Sequence, residues 1–208
     1  MYMLTTQPKD LAKAGEIVSK GGVIIYPTDT VYGLGCNPYS KEAVKRILSI
    51  KGRSSNPLPV LFHSKKDVEQ MVILGRSGSI IAKRFWPGPL TIVCNLKDLT
   101  RPPSASLETN TLGVRIPNHA ACIELIRASG GILVGTSANL SGQRVARSSS
   151  ELDSSLTNKV DALIDGGQTP LRVESTVIKM VSNKIVLIRE GHVKMSELKM
   201  VASERINK

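Results

Sequence analysis

Residues 23–35 read VIIYPTDTVYGLG, and this stretch joins an apolar run directly to a polar segment. The run VIIYP, residues 23–27, is continuously apolar and ends in proline, as is typical of a buried strand. Two threonines, an aspartate and two glycines follow it. Because α/β folds bind ligands at the ends of their strands, the stretch indicates an α/β fold and a candidate site. An ordinary glycine-containing turn would use the same residue types, so that interpretation stays open at this point.

The flanking sequence alternates helical patterns with short apolar strands. Helices are predicted over residues 8–20, 40–51, 79–85, 118–129, 148–156 and 194–206, with one more starting after Ser64, and the predicted N-caps are Ser40, Ser64, Asn118 and Ser148. Strands are predicted over residues 23–27, 58–62, 90–96, 112–116, 131–135, 162–165, 174–181 and 184–190. No repeat or linker divides the chain, so residues 1–208 are predicted to form one α/β domain. Its sheet should be mixed, parallel and antiparallel, because some loops are too short for a helical crossover.

The chain has 208 residues and a formal net charge of +11, from 28 Lys and Arg against 17 Asp and Glu. This balance favours an anionic partner such as nucleic acid or nucleotide phosphates, although a generally basic surface would look the same. Aromatic residues make up only 3%, which argues against a large base-stacking surface. No apolar stretch approaches the ~20 residues that a bilayer requires. The first residues lack a signal-peptide core, so we expect a cytoplasmic protein without a membrane partner.

The cysteines and histidines do not form a recognisable metal or disulfide pattern. Cys36, Cys94 and Cys122 are odd in number and widely spaced, and the three histidines lie far apart. A structural zinc site or a disulfide framework is therefore not expected. Nothing in the spacing favours a Cys–His pair for covalent catalysis.

Three further polar segments interrupt the apolar pattern: KGRSSNPLPV at 51–60, TLGVRIPNH at 111–119 and GTSANLSG at 135–142. Lys51 and Arg53 end a helix, where cations either complement the helix dipole or clamp a phosphate. Arg115 lies inside an apolar strand and needs an anionic partner, which is either a substrate carboxylate or phosphate or a structural Asp or Glu. The TSANLSG hydroxyls only superficially resemble a serine-nucleophile elbow, because position 139 is Asn where that elbow has Gly.

Taken in order, the motifs PTDTVYGLG, KGR with NPLPV, FWPGPLT, GVRIP, TSANLSG and VESTV resemble the YrdC family. The resemblance extends from about Gly21 to Arg189 and identifies the chain as similar to the L-threonylcarbamoyl-adenylate synthases. It implies a twisted mixed sheet flanked by helices around a basic concave cavity. It also implies that threonylcarbamoyl-AMP and pyrophosphate are made from L-threonine, bicarbonate and ATP. A downstream threonylcarbamoyl-transferase complex would then use the product to modify an adenosine of tRNA.

The resemblance also assigns residues, position by position. The implied L-threonine contacts are Thr30, Arg115, Ser137 and Ser175. The implied ATP contacts are Lys51, Arg53, Asn56, Thr111, Asn139, Arg147 and Arg189. No acid, base or nucleophile is implied, since Lys51 and Arg53 would act electrostatically and Mg²⁺ would arrive on ATP. Two departures are Ser54, where the family usually has Pro, and Val60-Leu61-Phe62, where many members carry a His.

A different class of function remains open, namely a non-catalytic module that binds tRNA or double-stranded RNA. A charge of +11 supports both an enzyme of anionic substrates and an RNA-binding module. A third reading is a paralogue with another small substrate. The hydroxyl and amide side chains at strand ends discriminate among these, because an RNA-binding module does not need Thr30, Ser175 and Asn139 in one pocket.

Overall fold

The computed structural model describes residues 1–52, 57–107, 109–181 and 184–203. Its strands are β1 Tyr2–Thr5, β2 Ile24–Tyr26, β3 Gly33–Gly35, β4 Val60–Phe62, β5 Val72–Ile73, β6 Leu90–Leu96, β7 Thr111–Arg115, β8 Ile132–Val134, β9 Thr136–Ser137, β10 Ala162–Asp165, β11 Thr176–Val181 and β12 Lys184–Arg189. Its helices are α1 Pro8–Ser19, α2 Lys41–Lys51, α3 Lys65–Met71, α4 Gly75–Phe85, α5 Ala120–Ala128, α6 Ser154–Thr157 and α7 Met195–Ser203. Short 3₁₀ turns cover Ser104–Ser106 and Ser149–Glu151.

The strands form two mixed sheets rather than the one that the pattern suggests. One sheet has the order β1-β10-β2-β3-β9, and the other has the order β12-β11-β6-β7-β4-β8, with β5 paired to β6. Both sheets combine parallel and antiparallel neighbours, for example β10 with β2 and β2 with β3. The predicted class, α/β with mixed pairing, is therefore confirmed. The second sheet escapes the sequence pattern because β3 and β9 have only three and two residues, too few to show a period.

The core is built from the apolar strands and the inner faces of the helices. A large cluster includes Ile25, Ile47, Val60, Ile92 and Val134, all essentially inaccessible to solvent. A smaller cluster lies where α1 and α5 pack against the sheet that contains β10. Gly15 allows that close helix contact, because a Cβ there would lie 2.4 Å from the carbonyl oxygen of Ala128. This packing leaves the loops at the strand ends to form the site.

Two helices, α2 and α3, begin at the N-cap residues that the sequence predicts. The Ser40 hydroxyl accepts from the Ala43 N–H, and the Ser64 hydroxyl accepts from the Asp67 N–H. Both contacts satisfy an N–H that the first turn of a helix leaves unpaired.

Two predicted caps are wrong. His119, rather than Asn118, caps α5, because its Nδ1 accepts from the Cys122 N–H at 3.3 Å. Residues 148–156 do not form a continuous helix, and Ser148 makes no side-chain cap. Glu151 instead accepts from the Arg147 N–H at 2.8 Å, so the expected capping box does not form.

The carboxyl-terminal part contains the predicted antiparallel pair, β11 with β12. Its expected turn, Ser182-Asn183, lies outside the described residues. Among the helices that the structure describes, none is both long and apolar enough to cross a bilayer.

Candidate active site

Five of the predicted site residues lie around one pocket. They come from the loop after β2, the end of β7, β9, the residues before β11 and the end of β12. These five are Thr30, Arg115, Ser137, Ser175 and Arg189. The pairing of β3 with β2 and β9 brings two of these segments together, and the pairing of β11 with β12 brings the last two. The pocket therefore draws on both sheets.

Arg115 is buried, with 5% of its surface exposed, and its guanidinium is held from three sides. Its Nη2 donates to Asp29 Oδ1 at 2.5 Å, its Nη1 to Thr30 Oγ1 at 3.1 Å and its Nε to the Gly88 carbonyl at 3.0 Å. The structural carboxylate that the sequence left open is therefore Asp29. A guanidinium has five N–H donors, so within the described residues two remain for another acceptor.

Thr30 belongs to a chain of hydroxyl hydrogen bonds. The Thr28 hydroxyl donates to the Val31 carbonyl at 2.7 Å, and its oxygen lies 2.9 Å from the Thr30 oxygen. Because each hydroxyl has one proton, Thr30 donates to Thr28 and accepts from Arg115. What remains on Thr30 is a lone pair, which can accept a hydrogen bond from a ligand but cannot donate one.

Ser175 and Arg189 form the opposite part of the lining, together with Glu174. Arg189 Nη1 donates to Glu174 Oε1 at 2.5 Å, and Nη2 donates to the Ser175 carbonyl at 2.9 Å and to its hydroxyl oxygen at 3.4 Å. The Ser175 hydroxyl also lies 3.1 Å from that of the buried Thr91. The VESTV motif predicted a contact for Ser175 but no role for Glu174.

Lys51 holds β9 and the loop after it in place through hydrogen bonds to their main chain. It is 2% exposed, and its Nζ donates to the Ser137 carbonyl at 2.6 Å, the Asn139 carbonyl at 2.9 Å and Asn139 Oδ1 at 3.2 Å. Asn139 in turn accepts from the Ser137 hydroxyl at 2.7 Å and donates to the Gln143 carbonyl at 2.6 Å. Lys51 and Asn139 thus position Ser137, whose hydroxyl oxygen is left as an acceptor towards the pocket.

Of the remaining predicted ATP contacts, Thr111 and Arg147 do not line this pocket, and Arg53 and Asn56 lie outside the described residues. Thr111 begins β7, four residues and about 13 Å along the strand from Arg115. Arg147 is half-buried, its carbonyl accepts from the Thr169 N–H at 2.7 Å, and its Nε has no hydrogen-bond partner in the described part of the chain.

Two residues of the PTDT motif, one in the pocket lining and one behind it, have no individual role in the sequence-based prediction. Thr28 and Asp29 come directly before Thr30 and position both Thr30 and Arg115. The signal was available in the PTDT motif, since a Thr two residues before another favours a local hydroxyl turn. An Asp in the same tight loop is also a natural partner for an otherwise unpaired Arg.

A larger cavity lies elsewhere in the structure. A cleft of about 510 Å³, lined by Tyr39, His63, Arg101 and others, contains none of the predicted site residues. The pocket at Thr30 and Arg115 has about 40 Å³ of free space, enough for a few water molecules.

Burial holds the two tyrosines that line the pocket in their neutral forms. Burial raises the pKa of Tyr26 well above its ordinary value, and burial also raises that of Tyr32. Burial raises the pKa of the Cys36 and Cys94 thiols to about 12. Thiols with such pKa values are poor nucleophiles at neutral pH.

The chain is similar to curated proteins from several organisms. It is 36% identical over 196 residues to "Threonylcarbamoyl-AMP synthase" of Pyrococcus abyssi, covering 92% of this chain and 56% of that protein. It is 34% identical over 200 residues to the protein of the same name from Bacillus subtilis, covering 95% and 58%. The chain thus spans a little over half the length of these two relatives. A "Putative threonylcarbamoyl-AMP synthase" of Methanocaldococcus jannaschii is 34% identical, with 87% of this chain and 85% of that protein covered.

Solved structures agree with the predicted YrdC-like fold. The crystal structure of P. abyssi Sua5 complexed with L-threonine superposes with a TM-score of 0.90 at 33% identity, covering 98% of this chain and 62% of that one. The crystal structure of E. coli YciO gives a TM-score of 0.82 at 26% identity, covering 95% and 98%. The sequence model of the Sua5/YciO/YrdC family, described as telomere recombination, matches residues 16–191. The family resemblance is confirmed, and the chain belongs to the Sua5/YciO/YrdC family.

Proposed function

We propose that this chain is an L-threonylcarbamoyl-adenylate synthase, a nucleotidyltransferase that makes threonylcarbamoyl-AMP and pyrophosphate from L-threonine, bicarbonate and ATP. The observation that carries the proposal is the meeting of Thr30, Arg115, Ser137, Ser175 and Arg189 in one pocket. These residues come from five separate segments of sequence. Relatives named threonylcarbamoyl-AMP synthase at 34–37% identity support the same activity.

The amino acid is recognised by complementary charge and hydrogen bonding. The Arg115 donors that the protein leaves over bind the threonine carboxylate, because charge-assisted hydrogen bonds to a guanidinium are strong and directional. Thr30 and Ser137 have already committed their hydroxyl protons. They therefore accept hydrogen bonds from the substrate's ammonium or hydroxyl group, and Ser175 completes this wall. The P. abyssi Sua5 structure complexed with L-threonine supports an amino-acid site in this fold.

The nucleotide occupies the space beyond Ser137 and Arg189. In this proposal its direct contacts are Arg53, Asn56, Thr111, Arg147 and Arg189, the last of which reaches towards the nucleotide from the end of β12. Lys51 and Asn139 serve the nucleotide indirectly, by holding the loop after β9 in place. Arg53 and Asn56 lie two and five residues after the end of α2 in the sequence.

Magnesium enters with the triphosphate in this proposal. Within the part of the chain that the structure describes, no three His, Cys, Asp or Glu side chains are grouped to hold a metal ion. Mg²⁺ supplies charge neutralisation on the phosphates as pyrophosphate leaves. The chain's own contribution is to hold the amino acid and to direct cations at the reacting phosphate.

The reaction needs positioning and electrostatics more than a protein nucleophile. The threonine amine captures bicarbonate, and the resulting carbamate attacks the α-phosphate of ATP. Phosphoryl transfer is promoted mainly by alignment and by cations that stabilise the growing negative charge. A pocket with two arginines and no accessible thiolate suits this chemistry.

The wider setting is also part of the proposal. The product passes to a downstream threonylcarbamoyl-transferase complex that modifies tRNA, and residues 1–208 act as one domain around a basic concave cavity in the cytoplasm. A non-catalytic tRNA or double-stranded RNA-binding module is the alternative. The convergent hydroxyl and arginine side chains favour the enzyme, because phosphate-backbone binding requires cations but not these acceptors.

The test is pyrophosphate release from ATP and Mg²⁺, with threonine and bicarbonate each present or omitted. The proposal expects release only when both are present. Release without either substrate would indicate simple ATP hydrolysis. No release, together with tight tRNA binding, would favour the RNA-binding alternative.

A further inference from the structure

The pocket contains an unequal set of charges. Among the described residues, its lining includes two cations, Arg115 and Arg189, and a single carboxylate, that of Glu174. The Asp29 carboxylate is not among the lining residues and pairs with Arg115 from behind. An amino acid brings both a carboxylate and an ammonium, so it needs a cation and a negatively charged acceptor. In this pocket Glu174 supplies the negatively charged acceptor.

The hydroxyl acceptors cannot replace that carboxylate. Thr30 and Ser137 can each accept a hydrogen bond from an ammonium, but a neutral hydroxyl does not take up a proton at neutral pH. An ammonium must lose protons before its nitrogen can attack carbon. A carboxylate within reach of the amine is a suitable general base.

Glu174 is held firmly and has one oxygen to spare. Its side chain is 29% exposed, and Oε1 accepts from Arg189. Oε2 has no hydrogen-bond partner among the described residues. Its main chain is fixed because its carbonyl accepts from the His192 N–H at 3.1 Å. The adjoining turn also needs Gly191, where a Cβ would lie 2.2 Å from the same carbonyl oxygen.

We infer that Glu174 binds the ammonium group of the amino-acid substrate and accepts a proton from it when the amine captures bicarbonate. This assignment rests on the proposed function. In the step, R–NH₃⁺ and HCO₃⁻ give R–NH–COO⁻, water and one proton. The nitrogen–carbon bond forms, and the carbon–hydroxyl bond breaks. One ammonium proton leaves with that hydroxyl as water, and the other passes to Glu174 Oε2 and then to solvent.

The test compares wild type with Glu174→Gln, which keeps an oxygen for Arg189 but removes the charge and the base. The expected result is a fall of about 10²-fold in kcat/KM for threonine at neutral pH. This deficit should shrink at alkaline pH, because the free amine then forms in solution. The KM for ATP should stay within about twofold. Glu174→Asp keeps a carboxylate and should preserve the wild-type pH profile at a lower rate.

The pH profile needs controls for the other groups that face Glu174. The charged groups that line the pocket with Glu174 are Arg115 and Arg189, and burial raises the pKa of the lining residues Tyr26 and Tyr32. His192 lies next to Glu174 through its main chain, although its side chain lines a separate cavity. His192→Gln should therefore keep the wild-type profile. Glu190→Gln should too, because Glu190 pairs with Lys194 away from the pocket.

Each outcome decides the assignment. An unchanged pH profile of kcat/KM in Glu174→Gln would overturn it. A defect confined to the KM for ATP would also overturn it, because Glu174 would then only support Arg189. Circular dichroism shows whether both Glu174 variants are folded, and a folded Glu174→Asp with the same pH profile as Glu174→Gln would overturn the assignment as well. If the wild type makes no threonylcarbamoyl-AMP, the proposed function itself fails, which is a different result from an active wild type with an unaffected variant.

Discussion

Arg115 shows how far one residue can be interpreted from sequence. A charge inside the apolar strand LGVRI requires an anionic partner, and this requirement is visible without a structure. The identity of that partner is not visible, because Asp29 lies 86 positions earlier in the chain. In the structure, Asp29 and Thr30 orient the guanidinium by direct hydrogen bonds. Such preorganisation reduces the cost of binding.

Asp29→Asn tests this ion pair. The buried pair has 7% and 4% of its two side chains exposed, and removing one partner of such a pair costs roughly 3–5 kcal/mol. Asn keeps one oxygen for Arg115, so we expect a loss of about 3 kcal/mol in the free energy of unfolding and a higher KM for threonine. Chemical denaturation and steady-state kinetics measure the two effects.

The matched control for Asp29→Asn is Glu69→Gln, which breaks the solvent-exposed pair with Lys65. Exposed pairs contribute little to stability, so this variant should unfold as the wild type does. Equal losses in both variants would show that burial of the Asp29–Arg115 pair does not matter.

The cysteines provide a second prediction at the residue scale. Cys36, Cys94 and Cys122 are all buried, and burial raises the pKa of the Cys36 and Cys94 thiols to about 12. Because alkylating reagents react with thiolates, iodoacetamide at neutral pH should leave the activity nearly unchanged. Rapid inactivation that ATP prevents would instead indicate a thiol in the site.

Helices and strands differ in how well the sequence predicts them. The caps of α2 and α3 follow from residues three positions apart, so local rules suffice there. The helix predicted over residues 148–156 does not form as one unit, because Glu151 accepts from the Arg147 N–H instead of completing a capping box with Ser148. β1 was not predicted, because its partner strand β10 lies 160 residues later in the chain. Its Tyr2 and Met3 are also exposed to solvent.

The cap of α5 makes a prediction about pH. Burial lowers the pKa of His119 below its ordinary 6.5, with the nearby Asp29 partly opposing the shift. As the pH falls through 6.5, the unfolded chain takes up a proton that the folded chain resists. The folded state therefore loses stability on the acid side of that value and has the full contribution above it.

His119→Asn isolates this contribution, because Asn is a good N-cap and does not titrate. Denaturant midpoints measured at several values from about pH 7.5 to 5.5 should fall more for the wild type than for the variant. Parallel falls would show that His119 does not titrate differently in the two states.

At the scale of the whole molecule, the sequence identified the pieces of the site but not their meeting place. The six motifs gave the family, which the match over residues 16–191 confirms. The convergence on one pocket depends on pairings such as Gly33 with Ser137 and Thr176 with Leu90, which no local pattern encodes. Asp29 and Glu174 were given no role for the same reason, since their importance lies in the arginines that they contact in other segments of the chain.

The net charge of +11 predicts a separate, sequence-independent affinity for RNA. Binding of tRNA should weaken by at least about tenfold between about 50 and 200 mM salt, since cations on the surface displace counterions from phosphates. Arg115→Lys should not alter this binding, because Arg115 is buried. Salt-independent binding, or binding lost in that variant, would mean that the pocket itself contacts RNA.

The most direct test of the central claim is mass spectrometry of the products formed from ATP, Mg²⁺, bicarbonate and L-threonine by wild type and Arg115→Lys in parallel. The lysine preserves a cation beside Asp29 but lacks the guanidinium's paired donors. The account predicts threonylcarbamoyl-AMP from the wild type and at least about tenfold less from the variant at limiting threonine. Absence of that product from the wild type, or equal yields from both proteins, would contradict it.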